Sequence, residues 1–370
     1  MTRMRNLIKP AAWIVYVVIV FEILFMISPF AIYFYSAYGP TLNFLHQWPG
    51  TTWMTQFYLP HFTETTSPLL NAAHVIGMLL ILGGLGVFFA GAIPIYWSKF
   101  RKGGAVTGGL YSFIRHPQYV GLAITGVGAA LVWPRFLVLV TLVVMILLYT
   151  LLAESEEQRC VDRYGDAYRE YQRRTGRFLP KRIGDQLPRI VPASGAGRVM
   201  VLSLLVLSSI AVAVGAGILS RDWSLTRISA MYEEDTAVIS TAYIGDKDLE
   251  RSYRIARSDP RVQQLLEQTG EGRFIVYVVP SEWFLPDLPL DKDPPGGHNV
   301  PSDFDHSRFK VLFTRARFHG SAPSGADIVK RAYGRDPLII AFVDLGKLAV
   351  TEIASPPSHV KWGDISTPMF

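Results

Sequence analysis

The sequence predicts an all-α polytopic membrane domain of about five transmembrane helices, followed by a small soluble α+β or α/β domain. Apolar residues make up 50% of the 370 residues and charged residues only 18%, whereas an ordinary soluble domain is about a quarter charged. The shortage of charge is uneven, because no lysine or arginine occurs from Pro10 to Ser98, while residues 221–370 have an ordinary mixed composition. A wholly soluble, a disordered and a collagenous chain are therefore excluded.

Five segments are apolar enough to cross a bilayer, which takes about 20 residues of helix. They are residues 11–34, 69–95, 118–133, 136–153 and 199–219, the third and fourth forming a hairpin around Trp133. The first segment follows basic residues, as the core of a signal peptide does. Its apolar stretch is too long and no small-residue cleavage site follows, so we expect a retained helix.

Positive charge predicts the orientation of these helices. Residues 36–68 contain no lysine or arginine, whereas residues 154–198 contain ten, against seven acidic residues. The N-terminus is therefore expected in the cytoplasm and residues 221–370 outside it, as in an integral protein of a bacterial inner membrane. The basic residues are expected to orient the chain and to contact anionic lipid, and no nucleic-acid-binding module is recognised.

The soluble part is expected to be an extracytoplasmic α/β domain of unknown function. Its β-branched segments predict strands at 235–243, 273–280, 308–318, 337–344 and 347–353, with helices at 247–268 and 324–333. The loop 281–306 contains four candidate metal ligands, which are His298, Asp303, Asp305 and His306. Their spacing matches no metal-binding motif, so a solvated loop is preferred and no metal site is predicted. The single cysteine, Cys160, excludes an intramolecular disulfide and a cysteine-cluster site.

Within the apolar segments, a few residues have two interpretations. Glu22 is a candidate functional carboxyl, although a protonated side chain bonded to a neighbouring helix is preferred, and His74 is expected to pack at the interface. Glycines in the second segment are interpreted as close helix-packing positions rather than as a phosphate loop. These are Gly77, Gly83, Gly84, Gly86 and Gly91.

Two polar segments flank the hairpin on its predicted cytoplasmic side, at residues 103–121 and 154–180. Because the hairpin places its two ends together, we expect Arg115 and His116 to meet Glu156 and Glu157. Pro117 suits the first turn of a helix, where its missing N–H costs nothing. Tyrosines on a helix beginning near Glu156 are expected to share one face; these are Tyr164, Tyr168 and Tyr171.

Each of these features has a simpler interpretation: a positive anchor, a solvated first turn and an interfacial tyrosine belt. Together these interpretations do not explain the paired motif G-x-Y-x3-RHP-x-Y-x-G and EE-x7-G-x2-Y-x2-Y with a terminal RFLP. The motif resembles the isoprenylcysteine carboxyl methyltransferase family, whose superfamily includes phospholipid methyltransferases, over about residues 75–182. The matching positions are Gly109, Tyr111, Arg115, His116, Pro117, Tyr119, Gly121, Glu156, Glu157, Tyr164, Gly165, Tyr168, Tyr171 and Pro180.

The resemblance implies methyl transfer from S-adenosylmethionine inside the membrane. The cofactor-binding positions it implies are Val106, Tyr111, His116, Pro117, Gln118, Tyr119 and Glu156. Expected catalytic positions are Arg115, His116 and Glu157. A glutamate suits the cofactor's ammonium group, and Arg115 or a helix N-terminus suits its carboxylate. His116 or Glu157 would serve as base for a neutral acceptor.

One departure from the family bears on the acceptor, which we expect to be a lipid or another lipophilic molecule. Carboxyl methyltransferases of this family place an arginine four residues before the first glutamate, where this chain has Leu152. An amine or a thiol is therefore favoured over a carboxylate. Two other interpretations stay open. One is an NADPH-dependent reductase of the sterol-reductase type, which residues 156–165 resemble, and the other is an inactive membrane sensor or assembly factor.

The expected domain organisation has four parts. Residues 1–96 hold the first two transmembrane helices, and residues 97–182 hold the methyltransferase-like core with its hairpin and cytoplasmic helix. Residues 183–220 hold a linker and the fifth transmembrane helix. Residues 221–370 form the outer domain, whose open roles are to bind a protein partner or an acceptor arriving from outside.

Overall fold

The computed structural model describes residues 17, 20–21, 23–33, 40–61, 63–101, 104–184, 186, 196–283 and 304–356. Glu22, His298 and Asp303 lie outside these residues. The chain divides into two compact units. The first contains Met1–Tyr38, Val75–Val132 and Leu137–Val214, and the second contains Gly39–His74, Trp133–Phe136 and Gly215–Phe370. Residues 39–74 cluster with the C-terminal part of the chain. The expected four-part organisation stays a prediction.

Three helices of the described chain are long and apolar enough to cross a membrane. The length and composition of these helices indicate a membrane protein. They are α3 (Pro68–Phe100), α5 (Phe136–Tyr164) and α8 (Ala196–Leu225). Two shorter apolar helices are α1 (Ile23–Tyr33) and α4 (Pro117–Val132). At 1.5 Å per residue, the 16 residues of α4 span about 24 Å, less than the roughly 30 Å hydrocarbon core. The expected count of five crossings therefore stays a prediction.

Glycines at seven-residue spacing bring α3 and α4 into close contact. A Cβ added to Gly84 would lie 2.5 Å from Thr125 Oγ1, and one added to Gly77 would lie 2.8 Å from the carbonyl oxygen of Gly128. A Cβ on Gly91 would meet the backbone nitrogen of Gln118 at 3.0 Å. The prediction of close packing is confirmed for these three glycines. Within the described residues it is wrong for the other two, Gly83 and Gly86, where an added Cβ would meet no described atom within 4 Å.

The polar segment after the hairpin is divided by a glycine. Helix α5 ends at Tyr164, and Gly165 adopts φ +58° before α6 (Asp166–Arg174) begins. The expected shared face of three tyrosines is therefore wrong, because only Tyr168 and Tyr171 lie on α6, where both are buried. The glutamate pair lies inside α5 and does not start a helix. The short helix α7 (Lys181–Gly184) follows.

The second unit contains a mixed six-stranded sheet in the order β1-β2-β3-β4-β5-β6, which confirms a small C-terminal domain of mixed helix and sheet. Only β2 and β3 are parallel. The strands are β1 (Ala230–Tyr232), β2 (Thr236–Ile239), β3 (Phe274–Pro280), β4 (Arg308–Arg317), β5 (Gly334–Asp344) and β6 (Ala349–Ala354). The five predicted strands are present, and β1 is an addition.

Helices cover both faces of this sheet. One face packs against α9 (Asp246–Ser258) and α10 (Pro260–Gln268), and the other against α11 (Asp327–Arg331). The single helix predicted over 247–268 is two helices. Pro260 cannot donate a backbone hydrogen bond and starts a new helix, whose first turn is capped by the Asp259 carboxylate accepting from the Arg261 nitrogen.

A segment far upstream belongs to this second unit. Residues 40–66 include α2 (Pro40–Gln47) and a 3₁₀ turn at Thr52–Thr55. The Glu64 nitrogen donates to the Thr241 carbonyl at 2.8 Å, and the Gln56 side chain donates to the Ala332 carbonyl at 3.0 Å. Arg221 donates to Gln56 Oε1 at 2.6 Å. The predicted connecting loop is thus part of the C-terminal unit.

Candidate active site

The first unit brings together the two polar segments that the sequence analysis singled out. Arg115 and His116 lie between a 3₁₀ turn at Gly109–Ser112 and the start of α4, where Pro117 is the first residue. Glu156 and Glu157 project from α5 toward them. The hairpin of α4 and α5 therefore juxtaposes these residues as expected.

Glu157 is buried, with 5% of the residue exposed, and accepts hydrogen bonds from several side chains. The Arg115 Nε lies 2.8 Å from its Oε1, and the Arg177 Nη2 lies 2.9 Å from its Oε2. The His116 Nε2 lies 3.2 Å from Oε1, and the Gln172 side-chain nitrogen lies 3.3 Å from Oε2. A carboxylate offers about four acceptor positions, so these donors leave Glu157 none free.

Glu156 has a different environment, although it is the adjacent residue. Its side chain is 37% exposed. It accepts a 2.6 Å hydrogen bond from the Tyr119 hydroxyl, and its Oε2 lies 3.5 Å from His116 Nδ1. Within the described residues, no arginine or lysine pairs with Glu156. It is therefore the carboxylate of this site that a cationic ligand would reach without displacing a guanidinium.

His116 lies between these two carboxylates and is 4% exposed. Its ring stacks on Tyr119 with centroids 5.5 Å apart, and Tyr119 stacks in turn on Tyr149 at 4.7 Å. Burial favours the neutral ring and by itself lowers the pKa of His116. The neighbouring carboxylates of Glu156 and Glu157 outweigh burial, so the pKa of His116 lies above its ordinary value.

The remaining predicted positions form the surroundings of this cluster. The buried Tyr111 hydroxyl lies 2.9 Å from the Gly91 carbonyl oxygen and 3.0 Å from Gln118 Oε1. Tyr111 is thus tied to both α3 and α4. Its own carbonyl accepts from the Tyr171 hydroxyl at 2.6 Å, which links it to α6. Val106 is half-buried in the irregular stretch 104–107.

The segment after α6 supplies residues to which the sequence analysis assigned no role. Ile114 and Gly176 form a parallel β-bridge, and the His116 nitrogen donates to the Arg177 carbonyl at 3.1 Å. A Cβ added to Gly176 would overlap the Leu179 carbonyl oxygen, so only glycine fits this turn. The RFLP motif was the available signal, and in the structure its arginine is the second guanidinium on Glu157.

Arg177 also extends the ion-pair network along α5. Its Nη1 lies 3.3 Å from Glu154 Oε1, one helical turn before Glu157. Glu154 pairs as well with Arg198, in the first turn of α8. Burial lowers the pKa of the Arg177 guanidinium. Its hydrogen bonds and ion pairs with Glu157 and Glu154 raise the pKa by more than burial lowers it, so Arg177 stays charged. This network fixes α5, α8 and the segment after α6 together.

The candidate metal ligands of the outer domain do not converge in the described chain. The Asp305 carboxylate accepts from the Ser307 nitrogen at 2.9 Å and from its hydroxyl at 2.6 Å, and His306 lies against Phe304 with ring centroids 4.2 Å apart. Within the described residues, no group of three or more histidine, cysteine, aspartate or glutamate side chains is placed to hold a metal ion.

Comparison with known proteins bears on the same part of the chain. No curated protein and no solved structure matches it. The model of the phospholipid methyltransferase family matches residues 69–167, which run from α3 to the start of α6 and include the RHP and EE positions but not Arg177. The resemblance to this methyltransferase superfamily is thereby confirmed for residues 69–167, and residues 221–370 lie outside it.

Proposed function

We propose that the chain is a membrane-embedded methyltransferase that uses S-adenosylmethionine and acts on a lipid or another membrane-soluble acceptor. The observation that carries this proposal is the pair of unequal glutamates around His116. Glu157 is saturated by Arg115, Arg177, His116 and Gln172, whereas no arginine or lysine of the described residues pairs with the adjacent Glu156. A family of methyltransferases matches this segment, and the cofactor of such enzymes carries an ammonium group that needs a carboxylate partner.

The residues present fit that cofactor at two points. Glu156 is a partly exposed carboxylate that pairs with no arginine or lysine of the described residues, and His116 Nδ1 is a buried polar atom without a hydrogen-bond partner among those residues. When bound, S-adenosylmethionine supplies a methyl group on a positively charged sulfur. Tyr111, Gln118 and Tyr119 would shape the pocket from α4 and the turn before it, together with Pro117 and Val106.

Arg115 and Glu157 are proposed as positioning residues within this site. The Arg115 guanidinium donates to Glu157 and to the carbonyl oxygens of Gln172 and Thr175. Its Nε and Nη1 are thus committed to the protein, and Glu157 has no free acceptor position with which to take a proton. Arg115 and Glu157 thereby hold His116 in place. Their proposed contribution to catalysis is to orient the site.

The acceptor is proposed to be an amine or a thiol rather than a carboxylate. Leu152 lies on α5 one turn before Glu156 and is partly buried against the apolar core of the helices. No cation is present at that position to hold a carboxylate. A neutral amine or thiol needs instead a group that removes its proton.

Label transfer tests the reaction class. Membranes that contain the chain are incubated with S-adenosylmethionine carrying a radioactive methyl group, and the label is sorted into lipid, protein and volatile fractions. We expect label in the lipid fraction with the native chain and at least tenfold less with Glu156→Gln, about 1.4 kcal/mol in cofactor affinity. The matched control is Glu170→Gln, since Glu170 is half-exposed on α6 and pairs only with arginines of its own helix.

Binding of labelled S-adenosylmethionine and of NADPH to the purified chain separates the other interpretations. Binding of NADPH without binding of S-adenosylmethionine would favour a reductase. Binding of neither would favour a sensor or assembly factor that lacks activity.

The proposed placement has the N-terminus and the site in the cytoplasm and the C-terminal domain outside, in a bacterial inner membrane. It rests on the distribution of lysine and arginine. A reporter fused after Phe370 should be active only outside the cytoplasm, and one inserted near Gly184 only inside. The opposite pattern would place the site on the other side of the membrane and contradict the proposal.

A further inference from the structure

One atom of the site lacks the partner that buried polar atoms normally have. His116 Nδ1 is fully buried and makes no hydrogen bond. Its nearest charged neighbour is Glu156 Oε2 at 3.5 Å, within ion-pair distance but without hydrogen-bond geometry. Buried polar atoms have a hydrogen-bond partner in the great majority of cases. An unpaired one at this site therefore needs a chemical explanation.

The protonation of the opposite nitrogen follows from its surroundings. Glu157 receives guanidinium hydrogens from Arg115 and Arg177 and is therefore an ionised acceptor. His116 Nε2, at 3.2 Å from the same carboxylate, must donate its hydrogen to it. In a neutral ring Nδ1 would then present a lone pair to the second carboxylate, Glu156. A lone pair and a carboxylate repel each other, so the ring between Glu156 and Glu157 is stable when Nδ1 is also protonated.

The groups facing His116 from each neighbouring element agree with this assignment. Helix α5 contributes Glu156 and Glu157, and α4 contributes Tyr119, whose hydroxyl donates to Glu156. The segment after α6 contributes Arg177, which pairs with Glu157 and Glu154. It also contributes Phe178, whose ring centroid lies 5.9 Å from that of the imidazole. The two carboxylates thus hold an imidazolium between them.

We propose that His116 Nδ1 releases its proton when the ammonium group of the cofactor binds Glu156, and then takes up the proton that the acceptor loses. The proposal rests on the proposed function. Glu156 would take the ammonium group as its counterion in place of the imidazolium, and the added positive charge beside His116 would leave the ring neutral. The buried Nδ1 then has the free lone pair that a base requires.

The atoms balance for an amine acceptor. The nitrogen lone pair forms the new N–CH₃ bond as the S–CH₃ bond breaks, and the electron pair of that bond goes to sulfur. The methylated nitrogen then gives one proton to His116 Nδ1. Over a full cycle one proton leaves on cofactor binding, and one is recovered from the acceptor. A carboxylate acceptor has no proton to give, which agrees with the apolar Leu152.

Calorimetry of the full chain in detergent tests the first half of this cycle. S-adenosylhomocysteine, which carries the same ammonium group, is titrated near pH 6.5 in two buffers of different ionisation enthalpy. We expect the native chain to release close to one proton per molecule bound. His116→Gln retains a donor toward Glu157 but no second titrating nitrogen, and should bind with almost no proton release. His306→Gln, in the C-terminal domain, should behave as the native chain does.

The outcomes distinguish this inference from the proposed function. Failure of the native chain to bind would overturn the proposed function itself. Binding without proton release, or equal release from His116→Gln, would leave the function standing and overturn the role of His116. If His116→Gln does not fold, the affinity of the native chain decides. This affinity should rise about tenfold for each unit of increasing pH while the imidazole is protonated. A flat profile of affinity against pH contradicts the proposal.

Discussion

Glu156 and Glu157 have the same side chain and adjacent positions, yet their surroundings give them separate functions. Successive residues of a helix point about 100° apart, so Glu157 faces Arg115 and Arg177 while Glu156 faces Tyr119 and the half-exposed side of the site. A motif written as two glutamates hides this difference.

Substitution by glutamine should separate the two roles. Glu157→Gln removes the carboxylate that Arg115 pairs with and one of the two that pair with Arg177, and should destabilise the chain by about 3 kcal/mol. Glu156→Gln should change stability little, because its side chain is 37% exposed, and should weaken cofactor binding. Thermal denaturation in detergent and cofactor titration on both variants give the two readouts. Equal stability losses would contradict the assignment.

A second residue-scale effect lies in the C-terminal domain. Lys310 is buried on β4, and its Nζ donates to the Trp283 carbonyl at 2.8 Å. Burial lowers the pKa of Lys310 from 10.5 to about 8. The unfolded chain therefore binds more protons than the folded one between these values, so stability contributed by Lys310 rises with pH across this window and is lost below it.

This pH dependence is open to a direct measurement. Urea unfolding of the domain in the full chain, followed by tryptophan fluorescence, should show stability increasing from about pH 8 to 10. Lys310→Met, which keeps the length of the side chain but cannot titrate, should flatten the profile. A slope unchanged in the variant would assign the effect to another group.

For individual residues, the sequence predicted which side chains lie close together. It did not predict which hydrogen bonds and ion pairs each of them forms. The RHP and EE positions are juxtaposed because the hairpin of α4 and α5 returns to its starting side. Arg177 received no role, because sequence spacing does not reveal that residues 172–178 return to pair with Ile114. Its geometry depends on a turn at Gly176 that only the fold defines.

Among the elements, the contact of α3 with α4 depends on which glycines face it. Gly83 and Gly84 are neighbours on α3, but only Gly84 touches the partner helix, at Thr125 and Gly121. An apolar helix in lipid has no polar face to reveal its orientation, so the sequence predicted packing at all five glycines alike. The seven-residue spacing of Gly77, Gly84 and Gly91 is the signal that separates them from the others.

Adding a side chain at each position tests the contact. Gly84→Val should force α3 away from α4 and cost about 1–3 kcal/mol or more, the range for overpacking. Gly83→Val is the matched control, since an added Cβ there has no neighbour within 4 Å. Retention of monodisperse protein in mild detergent on heating compares the two. Similar behaviour would contradict the observed orientation of α3.

Strands of the C-terminal sheet were easier to predict than membrane helices. The segments of β3, β4 and β5 are rich in β-branched and aromatic residues, and their predicted bounds agree with the observed ones to within three residues at each end. The short β1 carries no such pattern and exists because it pairs with β2. Tertiary pairing of this kind leaves no local signal.

At the scale of the whole molecule, the second unit is assembled from three stretches of chain, which no pattern in residues 36–68 predicted. That stretch has few charges and reads as a connecting loop. Its backbone and side-chain bonds to Thr241, Arg221 and Ala332 make it a component of the C-terminal unit. Contacts of this kind join stretches that are far apart in the sequence.

Truncation after Leu225 should therefore have two separate effects. Because the paired motifs belong to the first unit, cofactor affinity should remain near that of the full chain. Residues 40–66 lose their partners in the sheet and should become sensitive to chymotrypsin, which can cut at Phe57 and Tyr58. Trypsin has no site from Pro10 to Ser98. Equal protection of this segment in both chains would contradict its packing on the C-terminal domain.

The three-part composition of the second unit also has a consequence for the order of events during synthesis. Residues 40–66 leave the ribosome long before their partners, which extend to Ala332. At about 5–20 residues per second, the wait is on the order of tens of seconds. During this interval the segment can pair with Pro134 and Phe136 but lacks its partners in the sheet, so aromatic residues that would pack there are available to chaperones. Biogenesis of this protein should thus depend on such helpers more than its modest size suggests.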